Sequence, residues 1–180
     1  MKGIIFTDFL DLVENKFGLE MVDTIIESSE LESGGVYSAV GTYSFGEMLQ
    51  LLGNLSKETQ IPPDILLEVY AEHLFATLRD SYPGMMAAYN SPIDLLSGIE
   101  SHIHVEVRKI YPDAELPTFE VEHKTDKELV MVYRSSRALY SLGLGLMHQT
   151  FKHFGSSATI DYQKLDEKGT EVRFTITQNE

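Results

Sequence analysis

The chain contains no cysteine. That excludes disulfides, thiolate metal sites and any prosthetic group held by thioether links, so a metal here must be held by His, Asp, Glu, Tyr or Met. No apolar run approaches the length of a membrane span. The opening Met1-Lys2-Gly3-Ile4-Ile5-Phe6 soon meets Asp8 and Asp11, too short an apolar stretch for a signal peptide. Positive charge is scarce: 14 Lys and Arg stand against 28 Asp and Glu, for a net charge of −14. A surface this acidic repels phosphate backbones and anionic lipid heads, which disfavours nucleic acid and membrane as partners. Solubility alone accounts for the acidity, and so does docking to a basic partner surface. The expected location is cytoplasmic.

The 180 residues suit one domain, or two small lobes sharing a core. No repeat, low-complexity segment or linker interrupts them. Residues 2–17 carry Ile5, Phe6, Phe9, Leu10, Val13 and Phe17 on one side at helical period, with Gly18 as a stop. Residues 19–30 read as a second helix. Ser44-Phe45-Gly46-Glu47 fits a capping box and opens a third helix. Pro62-Pro63-Asp64 starts a fourth, running to about Arg79, and Tyr82-Pro83-Gly84 breaks the chain. After Pro112 the period changes. Residues 118–123 and 127–133 alternate as strands, 136–154 return to helix, and 158–165 with 170–177 form a hairpin around Asp166–Gly169. The fold class is α+β: a helical N-terminal part, then an antiparallel sheet with one helix packed on it.

Two stretches carry chemistry. Ser91 to Pro112 reads as one helix, with Ser91 as N-cap, Pro92 in the first turn and Asp94 at the positive end. Its apolar residues share one side, with Leu95 and Val105 outside the stripe. His104 falls on the edge of that stripe, whereas His102 points nearly the opposite way, beside Glu106, and should be wet. A histidine so placed is either a core-edge residue with one nitrogen satisfied, or a single axial ligand to a cofactor that brings its other ligands. The second stretch is the strand-to-helix junction Tyr133-Arg134-Ser135-Ser136-Arg137, with the helix expected near Ser136. A phenol, a hydroxyl and a guanidinium gather there beside helix-start amides. That is an ordinary N-cap with a solvated arginine, or a cradle for a carboxylate or phosphate. A haem would use both stretches, one imidazole for its iron and one cradle for its propionates.

With these residues in place, the chain resembles the haem nitric oxide/oxygen binding family, H-NOX, of stand-alone bacterial type and related to the haem domain of soluble guanylate cyclase. The Tyr-x-Ser-x-Arg motif stands at Tyr133, Ser135 and Arg137. The resemblance implies that these hold the propionates of a haem b, ferrous for gas binding, and that His104 is the proximal iron ligand. Pro117 and Ile5 match residues that press on the haem and distort it. The resemblance covers essentially the whole chain: one haem-binding domain over 1–180, with a helical subdomain at about 1–62 and a haem-cradling α/β part at about 63–180.

Oxygen-binding members of the family carry a distal tyrosine, and that position falls on Leu142 here. Tyr140, two residues earlier, lies about 160° away around the helix and should not substitute. The distal pocket then reads Ile5, Phe9, Leu74, Leu78, Leu142 and Leu146. Bound oxygen carries partial negative charge and needs a donor, whereas nitric oxide on ferrous iron is nearly neutral. A hydrocarbon pocket therefore favours nitric oxide. His73 is the one nearby donor, and a one-residue slip in alignment would bring it into the pocket. The resemblance implies a switch in which nitric oxide releases His104, strain at Ile5 and Pro117 relaxes, and the helical part shifts. Carbon monoxide is a further ligand. With no output domain expected in the chain, the signal would pass in trans to a histidine kinase or to an enzyme that makes or degrades cyclic di-GMP. No catalysis is expected. The competing readings are an oxygen or redox haem sensor, a haem-independent interaction module, and a haem enzyme, which usually wants polar distal groups.

Overall fold

Gly18 sits at φ 87°, a conformation that costs glycine little, and there α1 (Gly3–Phe17) turns directly into α2 (Leu19–Glu27). The structure, a computed structural model, describes residues 1–179. The apolar stripes of α1 and α2 meet those of α3 (Phe45–Thr59) and α4 (Pro63–Ser81) in one cluster. Phe6, Phe9, Val13, Ile25, Leu51, Leu55 and Tyr70 are almost fully buried at its centre. Each such side chain contributes about 1.5–3 kcal/mol by leaving water. Ser44 caps α3 as expected, accepting from Gly46 N at 3.2 Å. The reciprocal half of the expected capping box is absent, because Glu47 is buried and its carboxylate accepts instead from Ser33 Oγ at 2.5 Å and Tyr37 Oη at 2.7 Å. Tyr37 in turn stacks on Phe6, with ring centroids 4.5 Å apart. The loop between α2 and α3 is thereby fastened to α1.

A short α5 (Pro83–Ala87), not foreseen, follows the break at Pro83. Next come α6 (Pro92–Ser97), a π-helical turn (Ile99–Ile103) and α7 (His104–Ile110). The sheet is four antiparallel strands in the order β1-β2-β4-β3: β1 (Thr118–Lys124), β2 (Glu128–Arg134), β3 (Ala158–Lys164) and β4 (Glu171–Gln178). Helix α8 (Tyr140–His153) joins β2 to β3. One sheet face is apolar: Leu129, Met131, Tyr133, Val172, Phe174 and Ile176 pack with Tyr140, Leu144, Met147 and Phe151 of α8 and with Ile93 and Leu96 of α6. The β1–β2 ladder slips at a bulge between Val121 and His123.

The other side of α8 lies on α4. Gly145 is pressed so close that a Cβ there would stand 2.5 Å from Ala71 Cβ. Ser141 Oγ donates to Asp64 Oδ1 at 2.9 Å across the same contact. α8 thus sits between α4 and the sheet. The two apolar clusters are built on opposite sides of it.

Candidate haem site

The expected single helix over 91–112 is three pieces. Ser91 caps the first, accepting from Asp94 N at 3.1 Å. The π turn then places an extra residue in the spiral and rotates everything after it relative to a regular wheel. Two expectations fail on this segment, the second of them at that turn. Leu95, expected off the stripe, is buried at 3% exposure, because α6 alone is too short to follow one stripe and rests on the sheet cluster. His102, expected wet beside Glu106, is half-buried with Nδ1 2.8 Å from Tyr89 Oη.

His104 opens α7 and is 8% exposed. Its ring lies 6.0 Å from that of Phe119 on β1. Nδ1 stands 3.0 Å from Glu100 Oε2, and the other oxygen of Glu100 accepts from Arg108 at 3.3 Å. Burial pushes the His104 imidazole below its usual range, only partly offset by Glu100. Burial pushes the Glu100 acid up, but the bonds from His104 and Arg108 win and hold it below the carboxylate range. The result is a neutral imidazole whose Nδ1–H donates to a carboxylate. Nε2, with its lone pair free, has no hydrogen-bond partner among the described residues.

The junction after β2 also differs from expectation. α8 begins at Tyr140 rather than near Ser136, because Ala138 takes φ 51° and reverses the chain. No helix start therefore stands behind the motif. Instead the three side chains hold the turn and one another. Tyr133 Oη accepts from Leu139 N at 3.0 Å, and Ser135 Oγ accepts from Arg137 N at 3.2 Å. Both hydroxyls keep a proton to donate. The Arg137 guanidinium donates to Glu115 O at 2.7 Å and to Glu115 Oε2 at 2.5 Å, and lies over the Phe45 ring. Met1 donates its ammonium to Tyr43 O at 2.7 Å, and burial, then the Arg137 charge, holds that ammonium's pKa below its usual range. A cavity of about 470 Å³ opens here, lined among others by Met1, Lys2, Phe45, Glu115 and Arg137.

Of the residues expected to wall the gas site, Phe9 and Leu74 are buried, while Ile5, Leu78, Leu142 and Leu146 are only half-buried. Ile5, Leu78 and Leu142 form part of the fringe of the first cluster, and Phe119 and Ile103 part of the fringe of the second. Pro117 is half-buried just before β1. Tyr140 faces the sheet, its ring 5.5 Å from Tyr162, so it stands apart from Leu142. His73 turns Nε2 to Asp11 at 3.1 Å and to Asp8 at 3.5 Å.

These residues fit a haem. An imidazole with a free Nε2 is oriented by a carboxylate on its other nitrogen, as metal-bound histidines are. Apolar side chains of α1, α4 and α8 are left half-buried where an apolar plate would complete their burial. Glu115, whose side chain is 81% exposed, lays a carboxylate on Arg137 in the part that a propionate would play. The sequence reading missed Glu100, although a carboxylate four residues before a histidine is a legible pairing. It also missed Met1, Phe45 and Glu115, which only the fold brings to Arg137.

Fold and site together define a haem-binding sensor domain. The chain matches the family Haem-NO-binding over residues 2–162 and belongs to it, the H-NOX family of haem-based gas sensors. It is 65% identical to the Fe(II) unliganded H-NOX protein from K. algicida, covering 100% of this chain and 97% of that one, with a TM-score of 0.98. It is 37% identical to the H-NOX of Shewanella woodyi solved with IWP-051 in the Fe(II)CO state, over 99% and 95% of the two chains, with a TM-score of 0.85. It is 24% identical to soluble guanylate cyclase gcy-35 of Caenorhabditis elegans, and spans 28% of that protein's length. No described helix is long and apolar enough to cross a membrane.

Proposed function

We propose that the chain is a cytoplasmic sensor of nitric oxide, loaded with haem b, that signals in trans without catalysing a reaction. Bound haem would supply a ferrous iron able to bind a diatomic gas. His104 Nε2 would hold that iron, with Glu100 fixing the tautomer and orientation of the ring. Tyr133, Ser135 and Arg137 hold the propionates, with Arg137 exchanging Glu115 for one of them. Ile5 and Pro117 press on the plate. Phe9, Leu74, Leu78, Leu142 and Leu146 wall the gas site with hydrocarbon.

The observation that supports nitric oxide over oxygen is the position of His73. Its Nε2 is committed to Asp11 and Asp8, so the nearest donor is turned from the leucines. Without a donor the partial charge of bound oxygen goes unanswered, and nitric oxide asks for none. Carbon monoxide, which the Shewanella woodyi relative holds, needs none either. His104 sits on a short π-to-α junction, a place where a small change of backbone register moves the side chain. A change at His104 would pass to Phe119 of β1, which its ring faces at 6.0 Å, and a partner would read that change. The partner is a histidine kinase or an enzyme of cyclic di-GMP turnover. The test is Leu142→Tyr, alone and with Leu74→Asn. The double change should give a stable oxygen complex, and unchanged oxygen binding in both variants would overturn the assignment of this wall.

A further inference from the structure

Asp8 on α1 is only 6% exposed. Thr77 Oγ1, on α4, donates to its Oδ1 at 2.5 Å, while its Oδ2 is buried with no hydrogen-bond partner among the described residues. His73 Nε2 stands 3.5 Å from Oδ1 but keeps its shorter contact for Asp11. Tyr70, two turns before Thr77 on α4, donates to Ile5 O at 2.8 Å. An ionised carboxylate in such a place lacks the donors it needs, and the neutral acid is favoured. Burial pushes the Asp8 acid above the ordinary range. Thr77, the His73 charge and Tyr70 pull it down without cancelling that push, and the Asp11 charge adds to it.

These residues are interleaved with those of the gas wall. Ile5 and Phe9 flank Asp8 on α1, and Leu74 and Leu78 flank Thr77 on α4. We propose that Asp8 is a positioning residue for gas binding: its bond to Thr77 fixes how α1 lies on α4, and so how far Ile5 and Phe9 stand from Leu74 and Leu78. The inference rests on the reading of those four as the gas wall. While Asp8 is a neutral acid, Oδ1 accepts from Thr77 and buried Oδ2 carries no charge that calls for further donors. When Asp8 gives its proton to water, the carboxylate needs further donors. The nearest is His73, which must leave Asp11 to reach it. α1 and α4 then settle differently, and the room beside the iron changes. The groups that face Asp8 and share in its titration are Asp11 on α1 and Tyr70 and His73 on α4.

The test uses the reduced, haem-loaded protein with carbon monoxide as probe, and two variants, Asp8→Asn and Thr77→Val. Infrared spectra are taken from acid to mildly alkaline pH. They report a buried carboxylic acid directly, and the carbon–oxygen stretch of bound carbon monoxide independently. The expected result is an acid band that is missing in Asp8→Asn and titrates in the parent, with the carbon monoxide stretch moving at the same midpoint. Asp8→Asn should hold the low-pH stretch throughout, and Thr77→Val should change carbon monoxide dissociation several-fold at unchanged haem content. A carbon monoxide stretch that ignores the acid band, or titrates equally in Asp8→Asn, overturns the inference and leaves the sensor reading intact. Protein that takes up no haem overturns both.

Discussion

Glu100 and His104 are joined across the junction of a π turn and an α turn, Oε2 to Nδ1 at 3.0 Å. The pairing leaves Nε2 as the only nitrogen of that ring able to bind a metal, and the ring lies 6.0 Å from Phe119 on the fringe of the sheet cluster. Burial pushes the Glu100 acid up, but His104 and then Arg108, on the far oxygen, hold it below the carboxylate range and in place. The proposed iron ligation at His104 would therefore be set by three residues of one helical segment.

Replacing His104 by Gly should remove the iron ligand while leaving the cavity. Haem is expected to be retained only with imidazole added, and an unchanged absorbance spectrum without it would rule out His104. Glu100→Gln should keep the haem but weaken its retention by about 10- to 100-fold, since it removes a charged orienting partner and not the ligand. Haem transfer to apomyoglobin measures both.

The haem-free protein should lose stability as pH falls. The folded pKa values of His104 and Glu100 are both lowered. Between folded and unfolded values the unfolded chain binds more protons, so stability rises with pH. The His104 contribution is full above the ordinary histidine range and fades as pH drops below it. The Glu100 contribution fades further down, in the carboxylate range. Asp8, with its pKa raised, acts in the opposite sense, its contribution being lost as pH rises. Thermal unfolding at a series of pH values should therefore show a shallower acid slope in Glu100→Gln and a steeper net rise with pH in Asp8→Asn.

Arg137→Ala should weaken haem retention, because Tyr133 and Ser135 donate without charge. Glu115→Gln should strengthen it, because the carboxylate now on Arg137 competes with a propionate. Opposite signs for the two variants in one haem-transfer assay are the expected outcome. Equal effects would mean that Glu115 is part of the cradle rather than its competitor.

Gly145→Ala should cost about 1–3 kcal/mol of stability, because its Cβ would press on Ala71 in the α4–α8 contact. Adding Ala71→Gly should return part of that loss. A denaturant melt of the two single variants and the double gives the coupling, and additive effects would contradict the close approach.

The helices and strands were legible because their apolar residues repeat at one period or the other, and their limits because Gly18, Pro63, Ser91 and Pro112 punctuate the chain. What was not legible came from backbone irregularity and from distance. A π turn at Ile99–Ile103 has no residue signature, so a regular wheel misplaced His102, while His104 stayed on the buried edge. Leu95 was misplaced because the short α6 rests on the sheet cluster. The reversal at Ala138 is equally silent, since alanine seldom takes positive φ, and it moved the start of α8 from Ser136 to Tyr140. Glu47 fitted a capping box locally, yet Ser33 and Tyr37 claim its carboxylate. The motif Tyr133, Ser135 and Arg137 was readable as a motif, but its neighbours Met1, Phe45 and Glu115 lie far off in sequence.

We propose a ferrous haem on His104 that binds nitric oxide and not oxygen. Absorbance of the reduced protein, taken under nitrogen, in air and with nitric oxide, tests it most directly. The spectrum should be unchanged by air and shifted by nitric oxide to the form in which His104 has let go. A stable oxygen spectrum would contradict it, and would point to His73 leaving Asp11 as the hidden donor.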